Sequence, residues 1–479
     1  MALRLRERET TRPGAVLRCG ACEPDHEPTR GLDSVTDDAG VVVVSEQLII
    51  VSSDTHVGPR LVEDLRPYCP ARYRDEFDRY AAANVEPIGS FGRAPGTGFA
   101  VAGVEPTEAP ASRRRNFMTA GHHDVHARLR DMDYDGVAAE VIFHGSQNGQ
   151  PFPFRLHLLA GAGKGNLPVE DPEIAGVGNE IYNRWLGDFV AVEPHRHVGL
   201  AQLSMWDIER ATREVRVASS MGLKGVNLPA QREGIAPYND RAWDPFWAAC
   251  ADLGMVLANH GGQVTPEVSA LGAYQIASME LMALSRVSVI SRLIFGGVFE
   301  RHGDLTLVIT ERPGAWLATV IDEMDSLFDS GSVSSPLDHL TRRPGEYVRS
   351  NVFVGASFHA RFEALAAARD GYADNVCWGS DYPHTEGTFQ YPSDWGDEPV
   401  THLALRSSYA GLSHELIRNM IGENAIRAYG LDRKALAGTA VRIGAPTIES
   451  IDRPLAEIPQ RGGDVAGGSL AFRTFGVWS

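Results

Sequence analysis

Residues 376–384 read Val-Cys-Trp-Gly-Ser-Asp-Tyr-Pro-His. A short apolar run, Val376 to Gly379, gives way at once to Ser380, Asp381 and then His384. Such a run, bounded by polar or Gly positions, suits a strand buried on both faces. The same grammar occurs twice more. Leu48 to Val51 leads into Ser53-Asp54-Thr55-His56, and Met255 to Ala258 leads into Asn259-His260-Gly261-Gly262. Working outward, five further runs match: 140–143, 198–201, 225–228, 305–309 and 352–355. Helical patterns fill the spaces at 173–193, 207–221, 240–253, 278–302, 313–328 and 358–372, with a last one at 413–430 ending on Gly430. Asp171, Asp207 and Asp240 stand where N-caps are expected. Eight β/α alternations predict an α/β fold, a distorted (β/α)8 TIM barrel, although a doubly wound open sheet shares the pattern.

The chain has 479 residues and a net charge of −17. An acidic chain is poorly suited to gripping phosphate backbones or anionic lipid, so neither nucleic acid nor membrane is an expected partner. No apolar stretch approaches the roughly 18 residues of a membrane span. Five cysteines are too few for a disulfide scaffold, and the opening MALRLRERETTRPG has no apolar core of a secretory signal. A reducing cytoplasm is therefore the expected compartment. Cys19 and Cys22 have CxxC spacing, without a second ligand pair.

Three regions follow. Residues 1–46 read as an N-terminal extension or arm, 47–431 as the barrel, and 432–479 as a C-terminal tail. Two insertions break the barrel rhythm, at about 57–125 and 145–170. Both follow strands, which puts them on the C-terminal face where barrel active sites lie.

The three strand ends carry the chemistry. Two apart on a strand, Asp54 and His56 project from one face. With His260 and Asp381 they make a mixed N/O donor set at one barrel mouth, suited to Zn2+, Mn2+ or iron. A bound ion acidifies a coordinated water and polarises a substrate oxygen. Capping carboxylates and core histidines are the bland alternative. His144 ends the second predicted strand, and His122 and His123 precede the first crossover helix. These three are candidates for the pocket or for a second metal ion. Glu311, Arg312 and Trp316 follow the sixth strand, and Asn227 lies in the fourth. Arg312, Trp316 and Asn227 are candidate substrate contacts, Arg312 through bidentate pairing to a carboxylate or through pairing with Glu311 or Asp381 instead.

Longer motifs add to this reading. They are DTHVGP (54–59), ARLRDMDYDGVAAEVIF (127–143), NHGG (259–262), GGVFERHGDLTLVITERPGAWL (296–317), WGSDYPHTEG (378–387) and IGENAIRAYGLD (421–432). On these the chain resembles the amidohydrolase-related family, in the branch around aminocarboxymuconate-semialdehyde decarboxylase. The resemblance implies a metal at the C-terminal face and a homodimer. It matches His56, His260 and Asp381 to the family's metal ligands, and Asp381 also to its general acid/base. Two departures stand out: Asp54 where decarboxylases of the branch carry His or Glu, and Glu311 where the founding member carries a proton-relay His.

The expected protein is thus a metal-dependent hydrolase or non-oxidative decarboxylase of a small carboxylated or cyclic organic substrate. One divalent ion, Zn2+ or Mn2+ first, is expected on Asp54, His56, His260 and Asp381, with Asp381, Glu311 and His384 as catalytic candidates. The alternatives are a dinuclear, iron-containing oxygenase of the same fold and a non-catalytic partner subunit in a hetero-oligomer with a homologue.

Overall fold

The computed structural model describes residues 34–36, 42–44, 46–84, 111–155, 171–260, 287–312, 315–331, 337–391, 398–459 and 469–476. Cys19, Cys22, Gly261, Gly262 and residues 85–110 and 156–170 of the two insertions lie outside the described residues, as does the first part of the 278–302 helical pattern. The chain divides into two units, Met1–Ser45 and Glu46–Ser479. In the first, β1 (Ser34–Thr36) pairs antiparallel with β2 (Val42–Val44), Ser34 opposite Val44. The sequence reading assigned no element there, although Val41 to Val44 is a β-branched run.

The second unit is the barrel. Its strands are β3 (Ile50–Val57), β4 (Val137–His144), β5 (His197–Ala201), β6 (Gly225–Asn227), β7 (Val256–His260), β8 (Leu307–Thr310), β9 (Val352–Ser357) and β10 (Val376–Gly379). They pair in chain order and all in parallel. All eight expected runs are strands, and the ring decides for the barrel over the open sheet. The seam between β10 and β3 is closed past the end of β10. There the His56 N–H donates to the Tyr382 carbonyl at 2.7 Å, and the Asp381 N–H to the Asp54 carbonyl at 3.0 Å. Serines complete it: the Ser380 N–H donates to Ser52 Oγ at 2.9 Å and Ser53 Oγ to the Cys377 carbonyl at 3.1 Å. A Cβ on Gly379 would stand 2.9 Å from that of Asp54, so only Gly lets the strands approach this closely.

Helices fill the crossovers, with Asp caps where the sequence placed them. Asp171 accepts from the Glu173 N–H at the start of Pro172–Val190, and Asp207 from the Arg210 N–H at the start of Ile208–Ser220. Helix Val125–Asp135 begins on Asp124, which accepts from the His126 and Ala127 N–H groups. It stops on Gly136 at φ 72°, a left-handed turn that feeds β4 directly.

The barrel interior is apolar at its lower end. Val51, Val141, Leu200, Ala258, Val308 and Cys377 share one buried cluster with Ile426, Leu436 and Ala440 from beyond the last strand. Leu436 and Ala440 belong to helix Arg433–Ile443, capped by Asp432. Residues read as a tail thus form a floor under the barrel. Burying one Leu side chain in such a place contributes about 1.5–3 kcal/mol.

One irregularity in β3 positions the site. Ile50 and Val57 both lie in the outer cluster between sheet and helices, whereas Val51 lies inside. A strand of strict period two would put residues 50 and 57 on opposite faces. The pairing of β3 with β4 slips between Ser52 and Thr55, and the slip reverses the parity. Asp54 and His56 therefore point into the mouth. The backbone groups this frees are satisfied: Ser52 Oγ donates to the Asp54 carbonyl at 2.8 Å and Arg128 Nη1 to the His56 carbonyl at 2.7 Å.

Candidate metal centre

Donor atoms gather around His56 at the mouth. His56 Nε2 lies 3.3 Å from Asp54 Oδ1 and 3.3 Å from Asp381 Oδ1. His260 Nε2 lies 3.4 Å from Asp54 Oδ1 and 3.2 Å from His56 Nε2. Asp54, His56 and Asp381 are buried, and His260 is nearly so. Asp54 Oδ1 and both Asp381 oxygens meet no donor in hydrogen-bonding geometry among the described residues. Buried carboxylate oxygens left in this state are costly unless something positive faces them. A cation with donors at about 2.1 Å separates neighbouring donors by about 3.0–3.4 Å, which is the spacing here. Asp54, His56 and His260 form one group of donors with the spacing a divalent ion needs, and His56, Asp381 and His384 form a second that shares His56.

The surroundings orient these donors. Ser357 Oγ, at the end of β9, donates to Asp54 Oδ2 and leaves Oδ1 to face the imidazoles. His384 stacks on His56 with ring centroids 4.0 Å apart, and its Nδ1 lies 3.0 Å from Asp381 Oδ1. Its Nε2 donates to the Gly145 carbonyl at 3.2 Å. On the far side, Glu311 Oε2 lies 3.7 Å from His260 Nδ1. Glu386 completes a second acidic group with Glu311 and Asp381. Glu311 and Asp381 both have positive φ, 52° and 58°. The chain turns sharply just past β8 and β10, and each side chain is carried over the mouth rather than away from it.

The charges are strongly coupled. Burial alone would raise Asp54, but His260 and His56 more than offset it and hold the carboxyl well below its usual range. Asp381 is also lowered: burial opposes, and His384 and then His56 prevail. Glu311 is raised, first by burial and then by the Asp381 and Asp54 carboxylates. Burial disfavours the His384 imidazolium, yet Asp381, Glu386 and Glu311 push it up to about 10.

The match to known proteins covers most of the barrel. The family model described as Amidohydrolase (Amidohydro_2) matches residues 123–431. The chain belongs to the amidohydrolase family. Solved structures share its fold at low identity. 5-Carboxyvanillate decarboxylase LigW from Sphingomonas paucimobilis is 18% identical, with 80% of this chain and 100% of that chain covered and a TM-score of 0.52. The corresponding decarboxylase from Novosphingobium aromaticivorans, solved with bound manganese and 3-methoxy-4-hydroxy-5-nitrobenzoic acid, is 18% identical over 80% and 97%, at 0.55. An amidohydrolase from Mycobacterium avium subsp. paratuberculosis is 18% identical over 80% and 99%, at 0.54.

In this amidohydrolase the other singled-out residues divide. His144 lies edge-on to Phe152 and Tyr182, and burial pushes it down to about 3, so it is a neutral, aromatic-packed imidazole. His122 uses both ring nitrogens, one on Ser146 Oγ and one on the Asn116 carbonyl at 2.8 Å. His123 Nδ1 lies 3.8 Å from Asp64. None of these three joins a converging donor group among the described residues. Arg312 donates to the Glu311 carbonyl at 2.7 Å, and Trp316 Nε1 to the Arg312 carbonyl at 2.9 Å. The pair buttresses the turn that carries Glu311. Asn227 ends β6, half-buried.

Sequence reading missed three contributors. Ser357 ends β9, and Glu386 lies inside the 378–387 motif, two residues past His384. The third is Arg128 with Glu140: Nε and Nη2 of Arg128 meet the two Glu140 oxygens at 2.7 and 2.8 Å, both residues fully buried. Their signal was a charged pair inside the quoted 127–143 motif.

Proposed function

We propose that this amidohydrolase is a divalent-metal-dependent, non-oxidative decarboxylase of a small carboxylated aromatic substrate with a hydroxyl beside the carboxylate. The observation carrying the metal part is that buried Asp54 Oδ1 and the Asp381 oxygens meet no donor in hydrogen-bonding geometry among the described residues and lie beside imidazole nitrogens. Support for the reaction comes from fold neighbours described as decarboxylases, one with manganese and a nitrobenzoic acid bound. When bound, the ion supplies charge that holds the substrate carboxylate and acidifies the neighbouring hydroxyl.

The chain's own groups then handle the proton. Asp381, ionised because His384 and His56 hold it low, takes the hydroxyl proton. Protonated Asp381 delivers that proton to the ring carbon bearing the carboxylate. The bond to the carboxylate breaks, its electron pair returns to the ring, and CO2 leaves. The phenolate product takes a proton from solvent, so each turnover consumes one proton and forms one C–H bond. His384, in contact with Asp381 and anchored on the Gly145 carbonyl, fixes the carboxyl for this transfer. Glu311, raised by burial and the neighbouring carboxylates, adds little further negative charge beside an anionic substrate.

The test is a panel of hydroxylated benzoates, 5-carboxyvanillate included, incubated with Mn2+-loaded protein in D2O. Release of CO2 with one deuterium at the vacated carbon is expected. Turnover of esters, lactones or amides without CO2 release would overturn the proposal in favour of hydrolysis.

A further inference from the structure

The family match stops at residue 431, yet a segment some forty residues later touches the mouth. Ser469–Gly476 lies with Ser469, Leu470, Ala471, Phe472 and Arg473 buried. Leu470 and Phe472 pack into an apolar cluster with Phe358, Val400 and Ala404. Two polar anchors follow. The Leu470 N–H donates to the Glu386 carbonyl at 2.9 Å. Arg473 donates from Nη1 to the Phe358 carbonyl at 2.9 Å and pairs through Nη2 with Glu363, itself 1% exposed. Its Nε is held by the Gly476 carbonyl at 2.7 Å.

Each anchor lands on a turn that orients the donor set. Phe358 has φ 41°, in the left-handed region that a bulky residue rarely occupies, and it directly follows Ser357, the donor to Asp54. The Glu386 turn carries His384, which is stacked on His56 and in contact with Asp381. An unfavourable backbone conformation persists only where its surroundings over-determine it. A fully buried guanidinium on the Phe358 carbonyl is such a restraint.

We infer that Ser469–Gly476 is a built-in strap that positions the metal centre, Arg473 acting through the Phe358 turn and Leu470 through the Glu386 turn. Arg473 is a positioning residue and touches no donor atom. The inference rests on the metal-centre reading for its effect on the ion, but not for its effect on the turns.

The test is the double variant Arg473→Met/Glu363→Gln in the full chain. It removes both buried charges together, and Gln keeps an acceptor for the Ala360 N–H that Glu363 now caps. Two quantities are measured: Mn2+ affinity by chelator competition, and hydrogen exchange of the Phe358 and Gly387 amides. Outer partners of metal ligands are typically worth about 10–100-fold in affinity, and a loss of about tenfold is expected together with faster exchange at both turns. Leu436→Ala, in the floor helix, controls for stability; it should lower the melting temperature yet leave affinity and those amides unchanged. Overturning results are a folded double variant with unchanged exchange at both turns, or a loss of affinity that Leu436→Ala reproduces at equal loss of stability. Wild-type protein that binds no divalent ion would overturn the metal-centre reading, and the exchange measurement would still decide the strap.

Discussion

Arg128 offers the sharpest test of how the barrel holds its site. Its guanidinium is fully buried and makes four hydrogen bonds: two to Glu140, one to the His56 carbonyl at 2.7 Å and one to the Gly121 carbonyl at 3.0 Å. Glu140 also receives His197 Nδ1 at 2.9 Å. Arg128→Met leaves the Glu140 carboxylate buried with His197 as its one remaining partner among these, and removing one member of a buried pair costs about 3–5 kcal/mol. The unfolding entropy of a unit of about 430 residues is roughly 0.9 kcal/mol/K, so the melting temperature should fall by about 3–6 °C. Arg128→Met/Glu140→Gln should recover at least half of this, because no unpaired charge remains and Gln still meets His197. The sign with pH is fixed too. Burial opposes, but Arg128 and His197 hold Glu140 below its ordinary value, so the pair's stabilisation is full above pH 4.5 and is lost as pH falls through the lowered folded value. Scanning calorimetry of the three proteins, at pH 7 and then at steps down through the acid range below pH 4.5, measures this. A single variant within 1 °C of wild type, or a double variant less stable than the single, would refute the reasoning.

Three further outcomes are expected. Asp54→Asn and His260→Ala should each weaken Mn2+ binding at least about 100-fold while far-ultraviolet dichroism is unchanged, since each removes a ligand and not a core side chain; equal affinity by calorimetric titration would remove that residue from the ligand set. Asp381→Asn, assayed with its metal content verified, should lower turnover by about 100- to 10,000-fold, and retention of a tenth of the activity or more would rule out the proton-transfer role. Asp135 is buried away from the mouth beside Thr401, and burial raises it to about 8. A raised carboxyl favours folding below its unfolded pKa of about 3.8, and that contribution is lost as pH rises towards 8. Asp135→Asn should therefore melt higher than wild type at pH 7, with the gap closing near pH 4, and a gap independent of pH would contradict this.

The sequence showed the strands clearly because a strand buried on both faces leaves an unmistakable mark: a short apolar run bounded by polar or Gly positions. Val376–Gly379 and Val256–His260 carry that mark, and their polar ends are the donors. The floor helix was legible in principle, since Asp432 caps it, Leu436 and Ala440 stand four apart, and Gly444 ends it. It was passed over because the barrel count was already complete at Gly430. The partners of the donors were not legible. Ser357 reaches Asp54 across 303 residues of chain, and Arg473 reaches Glu363 across 110, so no local spacing reports either contact. Nor does a sequence record which face a strand presents after its register slips.

That slip bears on why the site is built from irregular backbone. A regular β3 would direct Asp54 and His56 at the helices, where two more polar groups would meet the apolar layer of Ile50 and Val57. The reversal between Ser52 and Thr55 sends the first polar pair inward, and the left-handed turns at Glu311, Phe358 and Asp381 supply the rest. A left-handed conformation costs a non-Gly residue roughly 1–2 kcal/mol. Gly at any of the three would relieve that strain and lose the side chain that the turn presents. The cost is offset nearby by specific restraints: Arg312 on the Glu311 carbonyl, Arg473 on the Phe358 carbonyl, and the Asp54 carbonyl on the Asp381 N–H. Two buried arginines thus hold two of the strained turns, and the barrel seam holds the third. The carboxylates of Asp54 and Asp381 raise Glu311, while His260, His56 and His384 hold those two carboxylates low. Strain gathered on one point and held in place by distant anchors supports the proposal that the mouth holds an ion, rather than burying these residues for stability.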